Sequence, residues 1–101
     1  MIKKGTFGEV IKQLREGKEY SQRQFAIALD ITPTYMSKIE RGEFPPPSEE
    51  VIKNMAQLLD YDTDTLLAHA NKVDSELLAI IQNSPQKYAG LLRKWAKKDE
   101  G

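Results

Sequence analysis

Cysteine is absent from the 101 residues of this chain, and histidine occurs once, as His69. Without cysteine there is no disulfide, thiolate zinc site or cysteine nucleophile, a composition that is typical of proteins from a reducing compartment. A lone histidine is weak evidence for a metal site, which needs several convergent ligands, and we interpret His69 as a solvated residue at a helix end. We therefore expect no metal and no cofactor, and a cytoplasmic location.

An excess of charge of either sign and long hydrophobic runs are also missing. The 15 basic and 15 acidic side chains balance, so bulk charge identifies no partner. No apolar run reaches the length of a membrane span, and Met1 is followed by Lys3, Lys4 and Gly5 rather than by the apolar segment of a secretory signal, so we expect neither feature. No glycine-rich phosphate loop or recognisable catalytic group is present, so we do not expect an enzyme.

Helix starts recur along the whole chain, each with a polar cap ahead of an apolar stripe, and strand patterns are scarce. The predicted caps are Thr6, Ser21, Thr32, Ser48, Asp62 or Thr63, Asp74 and Ser84. Gly17 offers a left-handed end to the first helix, and residues 43–47, which include Phe44 and three consecutive prolines, form a stiff connector after the third. We predict one all-α globule, in which residues 1–72 form a five-helix domain and residues 73–101 a C-terminal helical hairpin.

The segment from Ser21 to Gly42 is predicted to form two short helices joined by a tight turn. Ala26 is small where the helices must cross closely, and Ile31 fills the corner, so the second helix should project as a rod. Its exposed face carries short polar groups, one aromatic ring and one cation: Thr32, Thr34, Tyr35, Ser37 and Lys38. This surface suits the major groove of DNA. Residues 1–47 also carry eight basic against six acidic side chains, which favours this half for a polyanion.

The same segment resembles the XRE type of helix-turn-helix, the family of the lambda-like phage repressors and Cro proteins. The resemblance extends from Phe7 to Ala70 and rests on Leu14-Arg15, Ser21-Gln22-Arg23, Ala26, the run from Tyr35 to Gly42, and Pro47-Ser48. It implies a lambda repressor-like domain that binds double-stranded DNA. Two positions depart from the family pattern. Asp30 stands in the motif turn where glycine is usual and positive φ is needed, and Phe25 replaces the commonest leucine.

The resemblance also implies roles for individual residues. The base-contacting positions of the recognition helix correspond to Thr32, Pro33, Thr34, Tyr35, Ser37 and Lys38, and Lys38 is the best single base reader because it can donate to guanine O6 and N7. The phosphate-contacting positions correspond to Ser21, Gln22, Arg23 and Arg41, and Ser21 also serves as an N-cap. Arg15 and Glu40 match a structural ion pair that ties the first helix to the recognition helix.

The predicted hairpin lies beyond this resemblance and needs its own interpretation. It carries more apolar side chains than two arms packing on each other require, notably Tyr88, Leu91, Leu92 and Trp95. Three interpretations stay open: additional core over the first and fifth helices, a homodimer interface, or a docking surface for a toxin or another regulatory protein.

The sequence as a whole therefore predicts a transcriptional regulator. Our first hypothesis is a repressor that binds a palindromic operator as a homodimer, in the cytoplasm and at the nucleoid when bound to DNA. The alternative is an antitoxin of a toxin-antitoxin pair, which represses its own operon and binds its partner protein through the hairpin.

Overall fold

The computed structural model describes residues 5–72 and 74–100, and within these ranges the chain contains seven helices and no strand. The helices are α1 (Phe7–Gly17), α2 (Gln22–Ala28), α3 (Pro33–Glu40), α4 (Glu49–Leu59), α5 (Thr63–His69), α6 (Ser75–Asn83) and α7 (Pro85–Glu100). The all-α prediction, five helices with a two-helix extension, is confirmed. The predicted domain limits at residues 1, 73 and 101 lie outside the described residues. No helix in the described ranges combines the length and apolar character that crossing a membrane requires.

Polar caps determine where the first five helices begin. In each case a side-chain oxygen accepts a hydrogen bond from the backbone N–H three residues later, which satisfies one of the free donors of the first turn. The capping residues are Thr6, Ser21, Thr32, Ser48 and Asp62. At α2 the cap is reciprocal, because the Gln24 side chain accepts from the Ser21 N–H at 2.9 Å. These caps leave four residues, Leu29 to Thr32, between the end of α2 and the start of α3.

The end of α1 differs from the prediction. Gly17 is the last helical residue, and the left-handed residue is Glu19, with φ of 61°. The reason is that the Lys18 N–H still bonds to the carbonyls of Leu14 and Arg15, so the turn continues past the glycine. The reversal therefore falls two residues later than predicted.

The hydrophobic core lies among α1 to α5, and no described side chain of α6 or α7 belongs to it. The most deeply buried large side chains come from all five helices and are Val10, Ile11, Phe25, Met36, Ile39, Ile52, Met55, Leu66 and Leu67. Phe25 stacks on Tyr20 with 6.1 Å between ring centroids, so the core accommodates the ring that stands in place of a leucine.

Gly8 allows α1 to approach the end of α3 at backbone distance. A Cβ atom at Gly8 would lie 2.4 Å from the carbonyl oxygen of Ile39 and 2.6 Å from that of Glu40. Neither carbonyl can move aside as a flexible side chain would, so only glycine fits this position without displacing a helix. The contact therefore sets how closely the C-terminal turn of α3 lies against α1.

Helices α6 and α7 form the predicted hairpin, which meets the five-helix unit through polar contacts at its first turn. The Lys53 ammonium of α4 lies 2.7 Å from the Asp74 carboxylate and 3.2 Å from the Glu49 carboxylate. The Ser75 N–H donates to Glu49 Oε1 at 3.0 Å. We call these four residues the polar clasp. Because no described side chain of α6 or α7 is buried or belongs to the core, the interpretation of the hairpin as additional core over α1 and α5 is wrong.

Candidate nucleic-acid interface

Helices α2 and α3 form a compact helix-turn-helix. Ala26 is fully buried, and its carbonyl accepts a hydrogen bond from the Ile31 N–H at 3.0 Å, which closes the turn. Asp30 has φ of 59°, so the predicted left-handed conformation at this non-glycine position is confirmed. Met36 and Ile39 anchor α3 on the core, and the opposite side of the helix remains outward.

The outward side of α3 is polar. A helical period of 3.6 residues places Thr34, Ser37, Lys38 and Arg41 within an arc of about 100°. Of the six residues predicted to contact bases, three are exposed and three are half-buried. The exposed ones are Thr32, Pro33 and Thr34, and the half-buried ones are Tyr35, Ser37 and Lys38. Together they present hydroxyls, one phenol and one ammonium, which are groups that can bond to the edges of bases.

The residues predicted to contact phosphate lie on two elements, at the start of α2 and at the end of α3. Ser21 and Arg23 are exposed at the start of α2. Gln22 is half-buried, and its Nε2 donates to Glu40 Oε1 at 2.9 Å. An amide nitrogen has two N–H groups, so one remains for another acceptor.

Arg41, the remaining predicted phosphate contact, follows the last residue of α3. Its guanidinium lies 2.7 Å from the Glu43 carboxylate, and the two side chains are 60% and 54% exposed. An ion pair this exposed contributes little to stability, about 0–1 kcal/mol. The guanidinium can therefore exchange this carboxylate for another anion at small cost.

Arg15 and Glu40 are brought together as a buried, two-pronged ion pair. Arg15 Nε donates to Glu40 Oε2 at 2.7 Å, and Nη2 donates to Oε1 at 3.0 Å. Nη1 donates to the Tyr20 carbonyl at 2.7 Å. The hydrogen bonds to Glu40 raise the pKa of Arg15 above its ordinary value, so the charge is permanent. With Gln22 on the same carboxylate, the network links α1, α2 and α3.

Sequence reasoning missed Phe44, which it treated only as part of the stiff connector. The Phe44 ring centroid lies 5.0 Å from Lys38 Nζ and 5.9 Å from the ring centroid of Tyr35. The ring is 44% exposed, beside the outward face of α3. The available signal was a large aromatic residue in the connector, four residues past the end of α3 at Glu40.

His69 also differs from the prediction. It is the last residue of α5, as expected for a helix end, but it is half-buried, and its Nε2 is buried without a hydrogen-bond partner among the described atoms. It borders a groove of about 540 Å³ that also touches the start of α1 and the connector. The described residues contain no cluster of three or more side chains suited to hold a metal ion.

Two short capped helices, crossing at a buried alanine and presenting a polar face, define the helix-turn-helix class. The chain belongs to the family described as "Helix-turn-helix domain", which matches residues 6–70. The predicted resemblance to the XRE type is confirmed by this match and by the relatives below.

Two similar curated proteins are regulators of Bacillus subtilis (strain 168). The HTH-type transcriptional regulator SlrR is 32% identical over 66 residues, which cover 59% of this chain and 43% of SlrR. The HTH-type transcriptional regulator SinR is 33% identical over 72 residues, which cover 69% of this chain and 65% of SinR. The matched region thus spans less than two thirds of the length of either relative.

Solved structures show the same likeness. One is a crystal structure of SinR, described as the master regulator for biofilm formation, in complex with DNA. It has a TM-score of 0.57 and 34% identity, and the match covers 61% of this chain and 98% of that chain. A complex of SinR with SinI has a TM-score of 0.58 and 29% identity, and covers 92% of this chain and 99% of that chain. These likenesses agree with the predicted lambda repressor-like fold.

Proposed function

We propose that this protein is a transcriptional repressor that reads double-stranded DNA with α3. The observation that carries the proposal is the polar outward face of α3, held in one orientation by the Ala26 crossing and by the buried pair of Arg15 and Glu40. A rigid projecting helix with side-chain donors and acceptors is what the major groove admits. The likeness to SinR, which has been crystallised in complex with DNA, supports the same conclusion.

In this proposal the N-terminal half and outward side of α3 supply the base contacts. Lys38 donates to guanine O6 and N7, the hydroxyls bond to base edges, and Pro33 offers only apolar contact. The proposed base-contacting residues are Thr32, Pro33, Thr34, Tyr35, Ser37 and Lys38. Each good base contact discriminates by about 1–3 kcal/mol against the wrong base.

Phosphate contacts fix the register of α3 in the groove. We assign them to Ser21, Gln22, Arg23 and Arg41, which lie at the start of α2 and at the end of α3. For Gln22 the amide N–H that Glu40 leaves free would donate to a phosphate oxygen. For Arg41 a phosphate would replace the Glu43 carboxylate, at small cost because that pair is exposed.

The proposed unit on DNA is a two-fold symmetric homodimer on a palindromic operator. A chain with no net charge makes few phosphate contacts, so a monomer would bind weakly at physiological salt, and a dimer doubles the contacts. The hairpin offers the apolar surface: Leu92 and Trp95 are 52% and 53% exposed, and Tyr88 and Leu91 beside them are half-buried. Two recognition helices about 34 Å apart would then enter successive turns of the major groove.

A second candidate function, docking of a partner protein on the hairpin, rests on the same exposed surface. Leu77, Leu78 and Ile80 on α6 extend it, each more than 40% exposed. The likeness to SinR, whose complex with SinI covers 92% of this chain, favours a protein partner. An antitoxin that represses its own operon would use the outward face of α3 for DNA and the apolar surface of the hairpin for its partner protein.

Selection of bound sequences from random duplex DNA tests the proposal. We expect a palindromic consensus, because a two-fold dimer reads the same half-site twice. Half-sites without two-fold symmetry would reject the dimer, and no enrichment at all would reject the repressor. Copurification of a stoichiometric second protein that blocks dimerisation of the hairpin would favour the second candidate.

A further inference from the structure

Phe44 is fixed against α3 by its backbone and by the prolines that follow it. Gly42, with φ of 76°, turns the chain at the end of α3. The N–H groups of Glu43 and Phe44 then donate to the Lys38 carbonyl at 2.9 and 3.3 Å. Pro45 restricts Phe44 to extended backbone, and Pro47 is buried. The ring therefore has a defined place beside the outward face of α3 before any ligand binds.

The ring lies where it can hold the Lys38 side chain. At 5.0 Å from the ring centroid, the ammonium is within the range in which the negative face of an aromatic ring attracts a cation. Lys38 takes part in none of the ion pairs formed by the described residues, so no carboxylate competes with the ring there. Tyr35 packs on the same ring and limits its movement.

We propose that Phe44 is a positioning residue that holds the Lys38 ammonium at the edge of the recognition face and so strengthens base discrimination by Lys38. The proposal rests on the proposed function. A free lysine loses the freedom of a four-carbon stem when it binds a base, and a lysine already held by a ring loses less. The ammonium keeps N–H groups for guanine, because a ring face engages it from one side only.

The test compares variants that change the ring but keep apolar bulk. F44L removes the π face, and F44W retains it. Affinity is measured on the selected consensus duplex and on the same duplex changed at the base pair whose preference K38A relaxes. For F44L we expect a loss of about 2–5-fold in the ratio of these affinities, the equivalent of an exposed cation–π contact, and for F44W no loss. In the K38A background F44L should change the ratio no further.

A second readout does not depend on DNA. The ring current of Phe44 should shift the Lys38 Hε resonances upfield in the free protein, and this shift should vanish in F44L and persist in F44W. Thermal unfolding of each variant shows whether α3 is still folded.

The possible outcomes separate this proposal from the proposed function. If the wild-type protein selects no consensus, the proposed function fails and this role for Phe44 fails with it. If the wild-type protein selects a consensus but F44L keeps the wild-type affinity ratio, or weakens binding to both duplexes equally, only the Phe44 proposal is overturned. Loss of the ratio and of the shifted Hε resonances in F44L, with both retained in F44W, supports it.

Discussion

The Arg15 guanidinium of α1 and the Glu40 carboxylate of α3 meet in two hydrogen bonds although 25 residues separate them in sequence. The two residues are 7% and 6% exposed. The carboxylate also accepts from Gln22, a proposed phosphate contact. A single buried carboxylate therefore ties α3 to the two helices before it.

Removing one member of this pair should cost much of the stability of the domain. R15M leaves the Glu40 carboxylate buried without its cation, and we expect the free energy of unfolding to fall by about 3–5 kcal/mol. Urea unfolding followed by circular dichroism measures this. R41M is the matched control, because it makes the same replacement in the exposed pair with Glu43 and should cost about 1 kcal/mol or less. Equal losses in the two variants would contradict the structural role.

Alanine at Gly8 should separate α1 from the end of α3. The added methyl group meets two backbone carbonyls, so we expect a loss of about 1–3 kcal/mol in unfolding free energy, as for other overpacked sites. G17A is the control, because a Cβ there would meet no atom within 4 Å outside its own stretch of helix, and it should be neutral or slightly stabilising. A G8A protein as stable as G17A would show that the close approach does not exist in solution.

Substitutions of Lys38 and Arg41 should change DNA affinity in opposite ways. K38A should lose about 1–3 kcal/mol on the selected consensus and much less on unrelated duplexes, because it removes a base contact. R41A should weaken binding to all duplexes alike and reduce the salt slope by about one, because it removes a phosphate contact. Fluorescence anisotropy at several salt concentrations measures both. A uniform loss for K38A would reassign Lys38 to the phosphates.

Removing the hairpin should separate folding from dimerisation. A chain ending at Lys72 keeps every core residue that the structure describes, so we expect a folded helical monomer with much weaker operator binding. Replacing Leu92 and Trp95 by serine in the full chain should have the same effect. Sedimentation equilibrium measures the oligomeric state. A truncated protein that is still dimeric would place the interface on the five-helix unit.

The polar clasp should open in acid. The Lys53 ammonium lowers the pKa of Asp74, and the Ser75 N–H followed by Lys53 lowers that of Glu49. Both pKa values are lower in the folded chain than their ordinary values, which are 3.8 for Asp74 and 4.5 for Glu49. The clasp therefore contributes fully to stability above these ordinary values, and its contribution is lost as the pH falls through the lowered pKa values. The Ser75 amide resonance, followed against pH, should report this.

A variant pair tests the assignment of that transition to the clasp. K53M should move the Ser75 transition to higher pH, because the ammonium no longer favours the ionised carboxylates. K12M removes an equally charged side chain from the exposed side of α1 and should leave the transition in place. If both variants titrate like the wild type, Lys53 does not hold the hairpin.

Local chemistry allowed much of this fold to be predicted. Caps such as Ser21 and Thr32 act over three residues, so the helix starts could be predicted from the sequence. The turn at Asp30 depends on one backbone angle, so it could be predicted as well. What sequence missed depends on tertiary packing. The close approach of Gly8 to Ile39 follows from a helix crossing, and the ring of Phe44 meets Lys38 because the chain reverses at Gly42.

Because α6 is connected to the five-helix unit through the polar clasp and contributes no described side chain to the core, we expect two cooperative units of unequal stability. Amide protons of α6 and α7, where none of the described side chains is buried, should exchange with solvent through local openings that leave α1 to α5 intact. Amide protons beside Met36 or Leu66, at the centre of the core, should exchange only when the whole domain unfolds. A protein that captured the hairpin would therefore work against the small free energy of local opening, and α3 would stay folded throughout.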